Sequence, residues 1–360
     1  MKPRHAEILR GLLNRPTAPF HEQAMIDYVR DWAAELDLPL KTDEAGNVFV
    51  RYRNTTGRPR RWVFSAHVDH PGFVVQQQRG RTLRAEFIGG VREPYFRGSC
   101  VELFPPSGAV KAVVSSYQKR RDAEYPLCGL QLDEQADVPP GTLGMWDLPA
   151  ARIRGRVLAS RACDDVVGVA AALCAQEEIV RAGMETDATV CLTRAEEAGL
   201  VGCVAACRAG SVPRRSWIVG IETSKAQPRA ALGDGVVIRV GDKARTFDPD
   251  LTAHLAATAR DVQKRDGEVR YVRQLMPGGT CETTPYCVWG YRAGAVCLPL
   301  GNYHNMGPNE KIAAERIHLD DFESLVKLLV ALPAGAAPDQ APAGLQKRLE
   351  DVYARRGDRL

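Results

Sequence analysis

The 360-residue chain contains no apolar run close to the roughly 20 residues that a membrane-spanning helix needs. Its first residues, MKPRHAEILRGLLNRP, also lack the continuous apolar stretch and small-residue cleavage site of a secretory signal. These absences exclude a membrane protein of the helical kind and predict a cytoplasmic location.

Cysteine pairs of the zinc-ribbon or redox type are missing as well. The ten cysteines form no Cys-x-x-Cys motif and follow no regular spacing. Several lie inside apolar runs, such as Cys174 in VAAALCAQ and Cys191 in ATVCLT. We therefore expect reduced cysteines that pack as small apolar side chains.

The chain has no strong excess of charge of either sign. Its 48 Lys and Arg residues face 44 Asp and Glu residues, which leaves a net charge of +4. This balance gives no reason to expect nucleic acid or an anionic membrane as a partner. With 45% hydrophobic residues, the chain can bury a large core, so disorder along its whole length is excluded.

Helical and strand-like patterns alternate along most of the chain. This alternation predicts an α/β fold with a doubly wound, mostly parallel sheet flanked by helices. Residues 76–157 differ, because they form short β-rich pieces broken by Gly and Pro, which predict a small all-β insertion. The catalytic domain would then comprise residues 1–75 and 158–332, followed by an Ala/Pro-rich linker and charged tail at 333–360.

Acidic and histidine side chains stand at or just after the ends of several predicted strands. In open α/β sheets, ligands bind at the carboxyl ends of the strands, so these side chains are the first candidates for a functional site. They are His67 and Asp69 after WVFSA, Asp164 and Asp165 after VLASRAC, Glu196 and Glu197 after TVCLTRA, Glu222 after SWIVGI, and His304 after AVCLPLGNY.

Imidazoles combined with carboxylates suit a pair of divalent metal ions. Zn²⁺ takes His nitrogen and carboxylate oxygen, and two ions about 3.5–4 Å apart need a bridging carboxylate, for which Asp164 is the natural candidate. In the His-x-Asp spacing, Asp69 would accept the second N–H of His67 and so orient it. Of the adjacent Glu196 and Glu197, one would coordinate metal while the other acts as general base.

The order of these motifs resembles that of the co-catalytic dizinc exopeptidases, and within them the TET-type (deblocking or glutamyl) aminopeptidase family. The similarity extends over nearly the whole chain up to about residue 332. It is carried by APFHEQ, DEAGNVFV, AHVDHPGFVV, EFIGGV, ASRACDDVVGVAAAL, RAEEAGLVG, GGTCETTP and PLGNYHNM.

The resemblance implies a role for each residue of the constellation. His67, Asp164 and Glu222 would hold one ion and Asp164, Glu197 and His304 the other, with Glu196 as general base. The two ions would be zinc, with cobalt or manganese as alternatives. The resemblance also implies a cis Asp164–Asp165 peptide, an insertion that serves as a dimerisation domain, a peptide substrate and a large homo-oligomer.

Several positions depart from the family pattern and leave alternatives open. Glu222 stands where the aminopeptidases usually carry Asp, and His70 replaces an acid. A Glu at position 222 is more familiar in related carboxypeptidases, so a carboxypeptidase or an N-acyl amino-acid deacylase is the second reading. A non-catalytic homologue that binds peptides is the third. The role of His70, the preferred terminal residue and the oligomer size stay open.

Overall fold

The protein is built on an eight-stranded sheet, seen in a computed structural model that describes residues 1–57, 60–119, 122–334 and 341–356. The helices are α1 (Pro3–Leu13), α2 (Gln23–Glu35), α3 (Val166–Arg181), α4 (Val201–Ala209), α5 (Pro249–Arg265), α6 (Thr283–Val288), α7 (Leu319–Ala331) and α8 (Ala341–Arg356). The strands are β1 (Leu40–Thr42), β2 (Val48–Asn54), β3 (Trp62–His67), β4 (Gly72–Arg79), β5 (Thr82–Ile88), β6 (Cys100–Leu103), β7 (Val110–Gln118), β8 (Leu127–Leu132), β9 (Leu143–Trp146), β10 (Arg152–Arg154), β11 (Val157–Ser160), β12 (Thr186–Thr193), β13 (Trp217–Lys225), β14 (Val236–Arg239), β15 (Tyr271–Gln274), β16 (Arg292–Leu300) and β17 (Glu315–His318).

The large sheet is mixed, with the order β1-β2-β12-β3-β13-β16-β14-β15. The pairings of β12 with β3, β3 with β13, and β13 with β16 are parallel, as is that of β14 with β15. In contrast, β2 runs antiparallel to β1 and β12, and β14 runs antiparallel to β16. The parallel arrangement predicted from the sequence is thus found in the four central strands, whose carboxyl ends meet at one edge.

Helices pack on both faces of this sheet. On one face, the main core contains Phe64 of β3, Val190 of β12 and the side chains of α3. Helix α3 is apolar nearly all round, and such a helix is stable only when it is enclosed, as it is here by the sheet, α1 and α7. On the opposite face, Val63 and Ile218 pack with Cys203 of α4 and Tyr286 of α6.

A closed barrel of six strands interrupts the α/β part, in the order β4-β5-β8-β7-β6-β9. It has its own core, where the rings of Phe73, Phe87, Phe96 and Trp146 lie with centroids between 4.8 and 6.3 Å apart. The sequence places the insertion at 76–157, whereas the barrel strands span Gly72–Arg79 to Leu143–Trp146. Strands β10 and β11 form a separate three-stranded sheet with β17.

The C-terminal part of the chain is described only in part. Of the linker and tail predicted at 333–360, residues 335–340 and 357–360 lie outside the described residues. Helix α8 lies between them and exposes Leu349 and Tyr353. In the described part of the chain, no helix is both long and apolar enough to cross a bilayer.

Candidate metal centre

Four neighbouring parallel strands deliver their polar residues to one edge of the sheet. His67 is the last residue of β3, Glu222 lies near the end of β13, and Glu196 and His304 follow the ends of β12 and β16. Asp164, which precedes α3, lies beside them, and the peptide bond that joins it to Asp165 is cis, as the resemblance implies. Strand order thus explains why residues separated by up to 237 positions share one site.

His67, Asp164 and Glu222 form the first candidate ligand group. Their ligand atoms lie within 4.8 Å of one another, and all three residues are buried. The His67 Nε2 atom is 3.5 Å from Asp164 Oδ1 and 3.9 Å from Glu222 Oε2. The Glu222 Oε1 atom is buried and has no hydrogen-bond partner among the described residues, so the protein's own donors leave this oxygen unsatisfied.

Asp164, Glu197 and His304 form a second group with the same spacing. The His304 Nε2 atom lies 3.0 Å from Glu197 Oε1 and 3.6 Å from Asp164 Oδ2. Each oxygen of Asp164 therefore faces a different imidazole. This is the arrangement that a carboxylate bridging two cations requires.

Both imidazoles are oriented through their other ring nitrogen. The Nδ1 atom of His304 lies 3.0 Å from the carbonyl oxygen of Gly90, and that of His67 lies 3.2 Å from the carbonyl oxygen of Asp69. Carbonyl oxygens only accept, so Nδ1 carries the proton and Nε2 is left to face the carboxylates. His304 also adopts a positive φ of 54°, uncommon for a residue with a Cβ, which turns its ring toward the site.

Asp69 contacts two parts of the site at once. Its carboxylate accepts hydrogen bonds from the backbone N–H groups of Glu196, at 2.9 Å, and Glu197, at 3.0 Å. Its Oδ1 atom is 3.6 Å from His67 Nδ1, beyond hydrogen-bond distance. Asp69 therefore fixes the loop that carries both glutamates, and it approaches His67 mainly through its backbone oxygen.

The charges of the site fit divalent cations. Although burial alone would raise it, hydrogen bonds from His304 and His67 hold the pKa of Asp164 below its usual range. Burial and the nearby charge of Asp164 raise the pKa of Glu222 to about 8. Such a concentration of carboxylates is unfavourable unless cations compensate it, and nitrogen and oxygen donors are those that zinc, cobalt and manganese accept.

Glu196 is placed beside these groups and belongs to the candidate group formed with His67 and Glu197. Burial raises its pKa well above the ordinary value, and the charges of Glu222 and Glu197 add to the shift. Glu196, Glu197 and His67 line a cleft of about 90 Å³ together with Arg239, Met276 and Tyr303. A carboxylate that lines a cleft can exchange protons with a molecule bound there.

Arg194 lies away from the cleft. Its guanidinium donates to Glu22 at 2.8 Å and to the carbonyl oxygens of Phe20 and Ala45. The charge of Arg194 is therefore paired with that of Glu22.

Two residues that support the ligands were missed by the sequence reading. Glu315, fully buried, accepts from the backbone N–H groups of Cys163, Asp164 and His304 at 2.7, 3.0 and 2.8 Å. Asn305 donates to the Arg161 carbonyl oxygen. A lone Glu at the start of β17 carries no local signal, because its partners are distant in sequence.

His70, whose role the sequence leaves open, is a support rather than part of a candidate ligand group. Its Nδ1 lies 2.6 Å from the carbonyl oxygen of Asp164, and its Nε2 lies 3.0 Å from Asn305 Oδ1. It therefore joins the segment that carries Asp164 to the residue that follows His304.

Comparison with solved structures shows the same fold in proteins of low sequence identity. A TET aminopeptidase from Thaumarchaeota archaeon SCGC AB-539-E09 is 17% identical, with a TM-score of 0.78 over 94% of this chain and 98% of the other. The aminopeptidase APDkam598 from Desulfurococcus kamchatkensis is 21% identical, with a TM-score of 0.77 over 94% and 97%. The TET1 peptidase of Pyrococcus horikoshii, described as assembling into a tetrahedron or a large octahedral shell, is 20% identical, with a TM-score of 0.73 over 91% and 99%.

Sequence comparisons give a short match and a long one. The cytosol non-specific dipeptidase of Escherichia coli K12 is 28% identical over 98 residues, which are 27% of this chain and only 19% of the dipeptidase. The family model described as M42 glutamyl aminopeptidase matches residues 46–328, a range that includes every candidate metal ligand. This chain therefore belongs to the M42 glutamyl aminopeptidase family.

Proposed function

We propose that this protein is a metal-dependent aminopeptidase that removes N-terminal residues from peptides at a dinuclear centre. The observation that carries the proposal is Asp164, whose two oxygens face the Nε2 atoms of His67 and His304 at 3.5 and 3.6 Å. Glu222 and Glu197 complete the two ligand groups. Zinc is the ion that this donor set favours, with cobalt and manganese as alternatives.

When bound, the ions would supply Lewis-acid polarisation of the scissile carbonyl and would promote ionisation of water. The chain's own contribution is the movement of protons. Glu196, held by its backbone N–H on Asp69, would take a proton from the attacking water and deliver it to the departing amine. Tyr303, which stacks on His304 with ring centroids 3.8 Å apart, would narrow the cleft on that side.

A second candidate function is favoured by Arg239. This residue is 3% exposed, lines the cleft and has an Nε atom without a hydrogen-bond partner among the described residues. A buried guanidinium beside Glu222 would attract a substrate carboxylate, as a carboxypeptidase or an N-acyl amino-acid deacylase requires.

Hydrolysis assays distinguish the two. Metal-free protein would be reconstituted in turn with zinc, cobalt and manganese and then offered amino-acid anilides and N-acetyl amino acids. We expect release from the anilides, which carry a free amine. Cleavage of the acetylated compounds alone would favour the second function, and failure on both panels with every metal would favour a peptide-binding protein without activity.

We also infer that the protein acts as a cytoplasmic homo-oligomer, with the barrel as the dimerisation domain and the sheet-bearing parts as one catalytic domain. The support is the family membership and the assemblies named for the Pyrococcus horikoshii relative. Light scattering should give a mass that is a multiple of the 39.4 kDa chain, whereas a monomer at micromolar concentration would contradict the inference.

A further inference from the structure

A larger cleft, of about 520 Å³, lies on the sheet face that carries α4, near the N-terminal half of β3. We call it the arginine cleft; its side chains include Lys41, Phe49, Arg51, Arg61, Val63 and Thr189, and residues 211–213 close one side. Side chains alternate between sheet faces, which explains why Phe49 and Arg51 of β2 both point to this face. The volume lies in the range of small-molecule sites.

The arginine cleft is separate from the metal centre. Val63 lies on its floor, and His67 follows four residues later on the same strand, so the two places are about 13 Å apart along β3. None of its lining residues is a candidate metal ligand. A ligand in this cleft would therefore not contact the candidate metal ligands.

Its floor is apolar and its rim is positively charged. Phe49, Val63 and Val212 supply the apolar surface. Asp187 accepts from Arg51 Nε and Nη2 at 2.9 and 2.7 Å, and from Arg61 Nε at 3.1 Å. One carboxylate therefore serves two guanidiniums, which leaves one positive charge uncompensated within this group.

The second acid at the cleft, Asp43, is occupied by its own turn. Its Oδ1 accepts from the backbone N–H groups of Ala45 and Asn47, and its Oδ2 accepts from Asn47 Nδ2 and the Ser211 hydroxyl, at 2.9 to 3.0 Å. With Asp43 engaged, exposed Lys41 adds to the positive potential of the rim. Burial, together with the charges of Arg51 and Arg53, lowers the pKa of Arg61, so a further negative charge here would be stabilising.

One residue that lines the cleft, Thr189, carries a buried polar group for which the described residues offer no partner. Thr189 is 3% exposed, and its hydroxyl has no hydrogen-bond partner among the described residues. Buried hydroxyls are almost always paired, so an unpaired one in the lining of a cleft indicates a missing partner.

We propose that the arginine cleft binds an organic monocarboxylate with an apolar body. The carboxylate would pair with the outer nitrogens of Arg51 and Arg61, while the body would lie on Phe49 and Val63. The unpaired Thr189 hydroxyl would donate to the carboxylate. One ligand of this kind would use the positive charge of the cleft, its apolar surface and its unpaired hydroxyl donor.

The test is calorimetric titration of the metal-containing protein with 3-phenylpropionate. We expect saturable binding at up to millimolar concentration and none for the uncharged 3-phenylpropionamide. Lys41→Glu, a change at an exposed position, should weaken binding about tenfold. Arg61→Gln and Thr189→Val should weaken it several-fold or more.

Lys264→Glu is the matched control, since it makes the same charge change at an exposed position on α5. It should leave the affinity unchanged. If neither Lys41→Glu nor Thr189→Val changed the affinity, 3-phenylpropionate would bind elsewhere and the proposal would be overturned. The absence of binding to the unsubstituted protein would overturn it as well. Because Lys41→Glu alters only the rim, the test does not depend on whether Arg61→Gln folds.

Discussion

Glu196 and Glu197 are neighbours in the chain, yet the structure gives them different surroundings. Glu197 Oε1 lies 3.0 Å from His304 Nε2, within a candidate ligand group that includes Asp164. Both glutamates line the cleft, and the hydrogen bonds described for Glu196 all involve its backbone. This difference assigns coordination to Glu197 and proton transfer to Glu196 in the proposed mechanism.

Glu196→Gln should therefore separate metal binding from turnover. The amide keeps the size of the side chain but cannot accept a proton, so we expect both metals to be retained and kcat to fall by roughly 10²–10⁴-fold. Elemental analysis gives the metal content, and anilide hydrolysis gives the rate. A variant with near-normal turnover would remove Glu196 from the role of general base.

Glu315 should matter to the centre although it faces no substrate. In Glu315→Gln, one of the two acceptor oxygens becomes an NH₂ group that faces backbone N–H donors of Cys163 and Asp164 or of His304. We expect a loss of about 1–3 kcal/mol in unfolding free energy and weaker metal retention on dialysis. Glu310→Gln at an exposed position serves as the control. Equal stability and metal content in both variants would show that Glu315 does not position the ligands.

At the scale of elements, α4 packs closely against the loop that carries the two glutamates. A Cβ atom added to Gly202 would lie 2.3 Å from the carbonyl oxygen of Arg194 and 2.6 Å from Asn47 Oδ1. Gly202→Ala must then move α4 or this loop, at a cost of about 1–3 kcal/mol, and it should lower kcat/KM. Gly267→Ala, where no atom lies within 4 Å, should leave both unfolding and kcat/KM nearly unchanged. Identical denaturation curves for the two variants would contradict this tight packing.

The contact between α1 and α3 should make stability depend on pH. His5 Nε2 lies 2.8 Å from Glu178 Oε1, and hydrogen bonds from His5 and Lys2 lower the pKa of Glu178 from 4.5 to about 2. A carboxylate with a lowered pKa contributes stability above its unfolded pKa and loses that contribution as the pH falls toward the folded value. Glu178→Gln should cost about 1 kcal/mol at neutral pH and progressively less below about pH 4.5.

Urea denaturation between about pH 3 and pH 7 would measure this difference. Glu44→Gln, at an exposed position, is the control and should show no such trend. If the difference in unfolding free energy between Glu178→Gln and the unsubstituted protein stayed constant with pH, the contacts of Glu178 with His5 and Lys2 would not be its source.

The elements also show which parts of the site a sequence can predict. His67, Glu222 and His304 could be picked out because each lies at, near or just after the end of an apolar strand, and parallel strands bring their ends together. The residues that hold these ligands in position could not be picked out from the sequence. Gly90 contacts His304 through its backbone carbonyl oxygen, and the Glu315 side chain accepts from backbone N–H groups. The partners of both are distant in the chain or lie on the backbone, and no local sequence pattern indicates such contacts.

The mixed character of the sheet escaped prediction for a related reason. Strand β14 is buried along its whole length, like its parallel neighbours, whereas β2 is buried only at Val48 and Val50. In neither strand does the composition encode the direction of the strand. The barrel is predicted as a β-rich insertion, but the closure of β4 onto β9 depends on pairings between distant segments.

At the scale of the whole molecule, the barrel and the metal centre are joined by side-chain contacts. The Tyr95 hydroxyl donates to the Gly307 carbonyl oxygen at 3.0 Å, just beyond His304. Tyr95→Phe removes this bond, and we expect about 1 kcal/mol of destabilisation and faster loss of metal to a chelator. Tyr353→Phe, exposed on α8, should change neither. If chelation followed the same time course in both variants, the barrel would not restrain the loop after His304.

The carbonyl group of Gly90 sets a limit on how this protein can be simplified. It follows β5, outside the sheet-bearing part, yet it accepts the hydrogen bond from Nδ1 that holds the His304 ring in place. Replacing the barrel, the proposed dimerisation domain, by a short linker would leave that imidazole free to rotate and to change tautomer. A truncated version would have to keep the segment around Gly90 in position or supply a new acceptor for His304.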